Sequence, residues 1–397
     1  MTRSGAAAPV PTRRQIGIYL LLALWLEVGY ALALKLFADL AWATALWQAV
    51  VCVVAGGPLL VAVIAALSAP KKLARLSRRA YIATWPFMSL AQYGLPWLGW
   101  SALVWWLNGG EVSRLGALHS GAAIAIFSYV NGVAAMLRLR PRAGDVEVTR
   151  ADVYLERLPP AFDGYRILHI SDIHGGSPLY RASVRERLAA ADGMAVDVVV
   201  FTGDLASQTE AIEDAASALG ELEASDGLVA VLGNHDYWMG EETVSEALAA
   251  VGVRMLRNAH MAVERGGERL YLVGVEDCCY VGRDDLPGAL RGIPEGAPVV
   301  VATHSPDIVL KPLAARASLI LSGHTHGGQV IFPWIGPLYV PTKLGRRRMS
   351  GLLSVGGTVL YVNRGLGEIF PPMRLNCPPE IALLTLRSKP SSKPDSV

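Results

Sequence analysis

Apolar residues are concentrated in the first third of the chain, where four long runs contain few charged side chains. The runs cover residues 16–36, 45–67, 81–107 and 115–137. A helix needs about 20 residues to cross a hydrocarbon core of about 30 Å. Helices of soluble domains rarely reach this length without a polar face. The pattern therefore predicts a transmembrane region of four helices within residues 1–140.

Positive charges are distributed unevenly around the four predicted helices. They precede the first helix, fill the connection between the second and third, and follow the fourth, at Arg3, Arg13, Arg14, Lys71, Lys72, Arg75, Arg78, Arg79, Arg138, Arg140 and Arg142. The other two connections carry only Lys35 and Arg114. By the positive-inside rule, the amino terminus and everything after residue 137 are cytoplasmic. We therefore expect an integral protein of the cell (inner) membrane.

An alternative orientation comes from residues 12–16, which resemble a twin-arginine export signal. Such a signal would place the rest of the chain outside the cell. The apolar run that follows is long for a signal peptide, Glu27 interrupts it, and three more apolar runs come after it. These features favour a membrane anchor over a cleaved signal.

After Pro141 the pattern changes, and short β-branched runs alternate with alanine-rich stretches of helical period. Strands are predicted at residues 166–171, 196–202, 228–232, 269–275, 298–303, 319–322, 357–363 and 380–386, and helices at 181–191, 208–223, 242–251 and 307–316. Runs such as VDVVVF are apolar almost throughout, which indicates strands buried on both faces. The pattern predicts a layered α/β domain over residues 165–387. A linker with a leading strand over 141–164 precedes it, and a polar, disordered tail over 388–397 follows.

Five of the predicted strands end in the same kinds of residue. ILHISDIH ends with Asp172 and His174, VVVFTGD with Asp204, VAVLGNHD with Asn234, His235 and Asp236, VVVATHSPD with His304, and LILSGHTH with His324 and His326. In open α/β sheets, the loops beyond the carboxyl ends of the strands converge on the ligand crevice. We therefore expect five of the eight histidines to lie together. A polar turn with solvated histidines explains one such ending, but not five.

These side chains are of the kinds that bind metals. Seven of them are candidate ligands: Asp172, His174, Asp204, Asn234, His304, His324 and His326. One ion takes about four or five donors, whereas two ions about 3.5–4 Å apart use all seven if one carboxylate bridges them. The mixture of imidazole, carboxylate and amide favours manganese, iron or zinc over calcium. We expect two divalent metal ions as cofactors.

The order D-x-H, G-D, G-N-H-D, H and G-H-x-H resembles the calcineurin-like metallophosphoesterase superfamily over residues 165–386. The resemblance implies a four-layer α-β-β-α sandwich, with two sheets packed together and helices outside. It also implies a role for each residue: Asp172, His174 and His326 hold the first ion, Asn234, His304 and His324 the second, and Asp204 bridges both. His235 would protonate or steady the leaving oxygen, and Asp236 would orient His235.

The implied activity is hydrolysis of a phosphoester or phosphoanhydride bond. Two divalent cations neutralise the phosphate charge and lower the pKa of a bridging water, so that hydroxide attacks in line. The stretches GHTHGGQ and PPMRLNCPPEI resemble a membrane-associated subgroup that includes UDP-2,3-diacylglucosamine hydrolases. The expected partner is a phosphorylated small molecule or lipid, and a lipid-linked nucleotide such as UDP-diacylglucosamine at the cytoplasmic leaflet fits the predicted spans.

Three residues are candidate substrate contacts, namely Gly175, Arg364 and Arg374. The apolar segment 330–341 is either a lip that touches lipid or a loop that packs in the core. Residues 346–348, three consecutive arginines, either bind phosphate groups or anionic lipid, or form a solvated charged loop.

Other functions agree less well with the sequence. A broad phosphodiesterase or phosphatase of different substrate is the alternative within the same chemistry, and a non-catalytic membrane scaffold or sensor is the alternative outside it. A transporter would need partnered charges in the apolar runs, and none is evident. The net charge of +2 gives no reason to expect nucleic acid as a partner. The sequence does not indicate an oligomeric state.

Overall fold

The computed structural model describes residues 142–176, 183–332, 336–337, 339–369 and 373–389. These segments belong to a compact unit that covers residues 139–397. The four apolar runs predicted to span a membrane, at residues 16–36, 45–67, 81–107 and 115–137, lie outside the described residues. Within the described segments, no helix is both long enough and apolar enough to cross a bilayer.

A first mixed sheet of six strands includes the predicted leading strand. Its members are β1 (Glu147–Leu155), β2 (Arg166–Ile170), β3 (Val198–Phe201), β4 (Leu228–Ala230), β5 (Val253–Met255) and β14 (Glu380–Ser388). They lie in the order β1-β14-β2-β3-β4-β5, and all neighbours run parallel except β14 and β2. Every residue of β3 is buried, as its apolar sequence predicts.

A second mixed sheet also has six strands. Its members are β6 (Ala259–Arg265), β7 (Glu268–Val275), β8 (Val299–Thr303), β9 (Leu319–Ser322), β12 (Gly351–Val355) and β13 (Thr358–Val362). The order is β12-β13-β9-β8-β7-β6, with an antiparallel hairpin at each edge and parallel pairs between them. A separate two-stranded hairpin joins β10 (Ile331–Phe332) to β11 (Gly336–Pro337).

The helices are short. The α-helices are α1 (Val184–Leu188), α2 (Ile212–Gly220), α3 (Asn234–Met239), α4 (Glu241–Ala250) and α5 (Leu286–Ala289). Turns of 3-10 helix occur at Ala143–Asp145, Pro160–Phe162, Ala189–Ala191, Thr209–Ala211, Pro306–Leu310, Ala314–Arg316, His326–Gly328 and Arg346–Arg348. A capping box starts α1, because Ser183 and Glu186 each accept a hydrogen bond from the backbone N–H of the other.

The alternation of side chains along each strand divides the core into layers. Val198 and Val200 face the second sheet, in a cluster that includes Leu272, Val300 and Leu321. The alternate residues of β3 face outward, toward a cluster that includes residues of α1, α2 and α4. The second sheet is covered on its outer face by α5 and the 3-10 turn Pro306–Leu310. The described residues therefore form helix, sheet, sheet and helix layers.

Three predictions of secondary structure differ from the structure. The helix predicted at 307–316 is wrong, since two 3-10 turns replace it; Pro312 lacks the N–H that a continuous helix requires. No helix was predicted directly after β4, but α3 forms there. The tail predicted from residue 388 begins too early, because Ser388 pairs with Leu155 at the end of β14. Residues 390–397 lie outside the described residues.

His169 on β2 is a buried histidine that the sequence analysis did not single out. Its side chain is fully buried, and its Nε2 lies 2.9 Å from Thr202 Oγ1. Burial lowers the pKa of His169 from 6.5 to about 3. The folded chain therefore keeps this imidazole neutral under conditions in which the unfolded chain protonates it.

The first prediction concerns the stability of this sheet toward acid. As the pH falls below 6.5, the unfolded chain gains a proton at His169 that the folded chain excludes until about pH 3, so stability is lost. Between pH 7 and pH 5 we expect His169 to account for a loss of about 2 kcal/mol. His169→Gln removes the titrating group and should remove that share of the loss. Hydrogen exchange of the β2 amides at both pH values measures it, and an equal acid loss in the variant would contradict the prediction.

Candidate metal centre

The loops that follow five parallel strands contain the predicted metal ligands. The strands are β2, β3 and β4 in the first sheet and β8 and β9 in the second. All seven candidate ligands are buried there: Asp172, His174, Asp204, Asn234, His304, His324 and His326. The two sheets bring together residues that are distant in sequence, since the Nε2 atoms of His174 and His326 lie 3.2 Å apart across 152 positions.

Asp172, His174 and His326 form a first group. Asp172 Oδ1 lies 3.3 Å from His326 Nε2 and 4.0 Å from His174 Nε2. The two imidazole rings are stacked, with 5.0 Å between their centroids. One ligand atom from each residue therefore points into a common volume.

Asn234, His304 and His324 form a second group. His304 Nε2 lies 3.1 Å from Asn234 Oδ1 and 3.0 Å from His324 Nδ1. Both sheets contribute, because Asn234 follows β4 and the two histidines follow β8 and β9. Ligand atoms of His304 and His324 also lie within 4.8 Å of one another and of a carboxylate oxygen of Asp204.

Asp204 lies between the two groups. Its Oδ2 atom is 3.4 Å from His174 Nε2 and 3.3 Å from His304 Nε2. Its Oδ1 atom accepts a hydrogen bond of 2.8 Å from the backbone N–H of His235. One oxygen of a single carboxylate thus faces both groups, while the other oxygen fixes its orientation.

The donor chemistry fits divalent cations. His304 Nδ1 donates to the carbonyl oxygen of Thr202 at 2.8 Å, and His174 Nδ1 lies 3.0 Å from Ser207 Oγ. These bonds orient the two Nε2 atoms toward the other donors, a common arrangement behind metal-binding histidines. Donors in the two groups are 3.0–3.4 Å apart at their closest. Two ligands about 2.1 Å from one ion would be separated by about 3.0–3.4 Å.

The electrostatics also favour positive charge at this place. Burial raises the pKa of Asp172 to about 6, with His304 opposing the rise and Asp204 adding to it. Burial lowers the pKa of His174 to about 3, so its lone pair is free at neutral pH. Burial by itself lowers the pKa of His304. The neighbouring carboxylates of Asp204 and then Asp172 outweigh burial and raise this pKa well above its ordinary value. The two carboxylates therefore favour a positive charge at His304, and a bound divalent metal would supply positive charge to the same carboxylates.

The backbone is strained at the site. Five of the seven candidate ligands have positive φ angles: Asp172 (49°), His174 (48°), Asp204 (61°), His324 (67°) and His326 (50°). This conformation costs about 1–2 kcal/mol for each residue other than glycine. These backbone conformations therefore lower the stability of the folded chain, as is usual at functional sites.

Close packing explains the glycines in the G-D and G-N-H-D motifs. A Cβ at Gly233 would overlap Oδ1 of Asp204, and a Cβ at Gly203 would overlap the backbone of Gly233. Gly233 has an ordinary φ of −96°, so the restriction at this residue is steric. The two loops pack directly on each other, which sets the position of the Asp204 carboxylate.

His235 and Asp236, both predicted to be catalytic, occupy different environments. The His235 ring is partly exposed and packs edge-on against His174, with centroids 4.7 Å apart. The Asp236 carboxylate is buried and accepts three backbone hydrogen bonds of 2.8 Å, from Gly233, Asp204 and Leu205. These bonds position the loop that carries Asp204, and an orienting effect of Asp236 on His235 stays a prediction.

Gly175 and Arg374, predicted as substrate contacts, are both buried. A Cβ at Gly175 would point at Ala215 and Val184, and its backbone N–H and C=O bond to Leu205 and Ser207. The Arg374 guanidinium donates to backbone carbonyls of several loop residues, including Arg364, Gly365 and Cys377. Gly175 therefore allows close packing and Arg374 positions the loops around His326, while their contact with substrate stays a prediction.

Arg364 is also directed away from the metal centre. Its guanidinium pairs with Glu147 at 2.9 Å and with Glu380 at 3.4 Å, at the start of β1 and β14. These ion pairs attach Arg364 to the edge of the first sheet, and its contact with substrate stays a prediction. The sequence could not separate the two roles, since both place an arginine in the loop after β13.

The segments after His326 lie close to the site. In the segment 330–341, Pro337 is buried against Gly328, while Tyr339 is exposed; residues 333–335 and 338 lie outside the described residues. The three arginines of Arg346–Arg348 are exposed. Their turn is connected to the loop that carries His324 and His326. Thr325 Oγ1 in that loop donates a hydrogen bond of 2.6 Å to the carbonyl oxygen of Met349, which directly follows the turn.

Comparison with known proteins gives matches over the same region. Residues 165–328 match the family model described as calcineurin-like phosphoesterase. The chain is 30% identical over 278 residues to the uncharacterized metallophosphoesterase YkuE of Bacillus subtilis, a match that covers 69% of this chain and 94% of that protein. It is 32% identical over 285 residues to a Danio rerio transmembrane protein with metallophosphoesterase domain, covering 68% of this chain and 62% of that protein. The Escherichia coli phosphodiesterase YaeI is 28% identical over 230 residues, covering 56% of this chain and 82% of that protein.

Proposed function

This chain belongs to the calcineurin-like metallophosphoesterase family, and from that premise we propose that it is a membrane-anchored phosphoesterase with two divalent metal ions. Membership makes it a hydrolase of phosphoester bonds. The observation that carries the proposal of two ions is the position of Asp204, whose Oδ2 lies at nearly equal distances from a nitrogen of each ligand group. A shared carboxylate of this kind is the usual bridge of a two-metal site.

In this proposal, Asp172, His174 and His326 hold one ion, Asn234, His304 and His324 hold the other, and Asp204 is shared. The donor set favours manganese, iron or zinc. When bound, the two ions supply Lewis acidity and lower the pKa of a water molecule, so that a nucleophile is available at neutral pH. The ligand side chains are buried, so charge interactions with bound ions would be stronger there than in bulk water.

His235 has a separate task in the proposed reaction. Its ring is partly exposed beside His174, whereas the six histidine and aspartate ligands of the loops after β2, β3, β8 and β9 are buried. It can therefore reach a substrate oxygen without giving up a place in either ligand group. We assign to His235 the transfer of a proton to the leaving oxygen, or a hydrogen bond that steadies it.

The substrate and the membrane association are further parts of the proposal. Four apolar runs precede the domain, and the Danio rerio relative is named a transmembrane protein. Together they support a domain held at the cytoplasmic side of a membrane, where a lipid-linked nucleotide such as UDP-diacylglucosamine is accessible. A broad phosphodiesterase is the second candidate, favoured by the name of the Escherichia coli relative. A non-catalytic scaffold is disfavoured, because it would retain strained, buried ligands without using them.

Metal-dependent hydrolysis is the test of this function. The detergent-purified full chain with Mn²⁺ should hydrolyse bis-p-nitrophenyl phosphate, lose the activity with a chelator and recover it when Mn²⁺ is returned. His235→Ala should keep both ions but lose about 100-fold in kcat on an alkyl ester, whose leaving oxygen needs a proton. The loss should be smaller with a p-nitrophenyl ester, because nitrophenolate leaves without help.

A matched control is His260→Ala, which removes a histidine of β6 that bonds to Ala289 of α5, and it should leave kcat and metal content unchanged. Turnover that survives complete removal of metal, or a chain that binds no metal, would refute the proposed function. A strong preference for UDP-diacylglucosamine over bis-p-nitrophenyl phosphate would support the lipid-linked substrate. Similar turnover of both would support the broad phosphodiesterase.

A further inference from the structure

Three exposed aromatic side chains stand beside the metal centre. Trp238 and Tyr280 are each 45% exposed, and Tyr339 is 65% exposed. In the part of the chain that the structure describes, seven large apolar side chains are exposed, and these three are the ones near the site. Exposed aromatic rings that cluster at one place usually mark a binding surface. We call these three residues the aromatic rim.

The aromatic rim is joined to both sides of the centre by ring contacts. The Trp238 ring lies 4.5 Å from that of His235, and the Tyr280 ring lies 5.1 Å from that of His324. Trp238 and Tyr280 meet edge to face at 6.5 Å, and the hydroxyl oxygens of Tyr280 and Tyr339 are 3.3 Å apart. A ligand whose phosphate lay between His235 and His324 would therefore extend over these rings.

Buried groups position the rim. Trp238 lies one helical turn after His235 on α3, so both side chains are on the same face of the helix. Tyr280 is in a turn held by the buried Asp277, whose Oδ2 accepts backbone hydrogen bonds from Tyr280 at 2.6 Å and Val281 at 2.8 Å. The rings are thus placed before a ligand arrives, which lowers the entropy cost of binding.

The rim has the composition of a stacking surface for a heterocycle. The edge-to-face contact of Trp238 and Tyr280 leaves ring faces available for a ligand. A nucleobase stacks strongly on an aromatic side chain, and all bases can do so because each has a flat face. The two tyrosine hydroxyls add hydrogen-bonding groups that a nucleobase edge can satisfy. An acyl chain would cover these hydroxyls without replacing their bonds to water, which is unfavourable.

We propose that Trp238, Tyr280 and Tyr339 bind the nucleobase of the substrate while its phosphate lies at the metal centre. The inference rests on the proposed function, and it narrows the substrate to phosphoesters of nucleosides. The rim residues would determine specificity, because they would contact the nucleobase and raise the affinity for the substrate without touching the bond that breaks. Trp238 and Tyr280 were not predicted from the sequence because neither belongs to a metal-binding motif, whereas Tyr339 lies in the segment 330–341 that was predicted to be a lip or a packed loop.

The test compares two ligands that differ only in the base. Calorimetry of the full chain in detergent with Mn²⁺ should show that uridine 5′-monophosphate binds about tenfold more tightly than ribose 5-phosphate. Trp238→Ala and Tyr280→Ala should each remove most of that ratio, and Trp238→Phe should retain most of it. Tyr154→Ala, which removes a 51% exposed tyrosine from β1, should leave the ratio unchanged.

Equal affinity for the two ligands in the unaltered chain would overturn the inference, as would a ratio that persists in both alanine variants. Metal content of each variant shows whether the centre is intact, and Trp238→Phe supplies the comparison if Trp238→Ala does not fold. Rim variants that lose binding to anionic phospholipid vesicles while keeping the nucleotide ratio would assign the rim to the membrane instead. Calorimetry needs no turnover, so a chain that prefers the nucleotide but hydrolyses nothing would contradict the proposed function and leave the base-binding rim in place.

Discussion

Asp204→Ala is expected to lower kcat/KM for bis-p-nitrophenyl phosphate by about three orders of magnitude, or about 4 kcal/mol of transition-state stabilisation. The physical reason is that both oxygens of this carboxylate are used. Oδ2 faces His174 and His304 at 3.4 Å and 3.3 Å, and Oδ1 holds the backbone N–H of His235. Alanine removes the proposed shared ligand and releases the loop that carries His235. Metal analysis should find that the variant no longer retains two ions per chain.

Two further variants make the Asp204 result specific. Asp204→Asn keeps an oxygen that can accept from His235 but lacks the negative charge, so metal retention should fall while the fold is kept. Asp152→Ala removes an exposed aspartate that pairs with Arg387 at 3.0 Å, and it should leave kcat/KM and metal content unchanged. Full activity in Asp204→Ala would show that this carboxylate is not the bridge.

Gly323→Ala is expected to destabilise the domain by about 3 kcal/mol and to lower kcat/KM by about 100-fold. A Cβ at this residue would overlap Ser171 Oγ and Asp172 Oδ2. These atoms are fully buried and hydrogen-bonded to each other, so they have no space into which to move. The Asp172 carboxylate, which also accepts the backbone N–H of His324 at 2.9 Å, would be displaced from its ligand group. Hydrogen exchange of the β9 amides and steady-state kinetics measure the two effects.

Gly144→Ala is the matched control for the steric argument. No heavy atom lies within 4 Å of a Cβ at Gly144 among the described residues, so the substitution should change stability by less than about 0.5 kcal/mol. If Gly323→Ala were as stable and as active as Gly144→Ala, the packing of the G-H-x-H loop against Asp172 would not be the reason for its glycine.

Both effects reflect the cost of building this site. Five candidate ligands have strained backbone angles, and the carboxylates of Asp172 and Asp204 are buried near each other. These features lower the free energy of unfolding. Ions that bind only the folded chain would raise it again, because binding draws the equilibrium toward the folded state. The large predicted effect of Asp204→Ala follows from this balance, because the variant keeps much of the strain and loses the shared ligand.

The strand pattern and the candidate ligands were predictable from sequence for a local reason. Apolar runs such as that of β3 can be buried only inside a sheet, and the polar residues that follow such runs must lie at the sheet edge. The helices were less predictable, because short segments such as α3 and the 3-10 turns after β8 are decided by single residues. Gly233, Asp236 and Pro312 are examples, and their effect depends on neighbours that hydrophobic periodicity does not report.

The sequence by itself determined the α/β class of the domain, the order of the metal-binding motifs and the number of donors, since each of these depends on residues close together in the chain. Only the tertiary structure decided which polar residues face the centre. It turned Arg364 to the edge of the first sheet, placed Arg374 and Asp236 on backbone groups, and brought Tyr280 beside His324. The physical reason is that a side chain's partners are set by the packing of two sheets, which joins residues more than 100 positions apart.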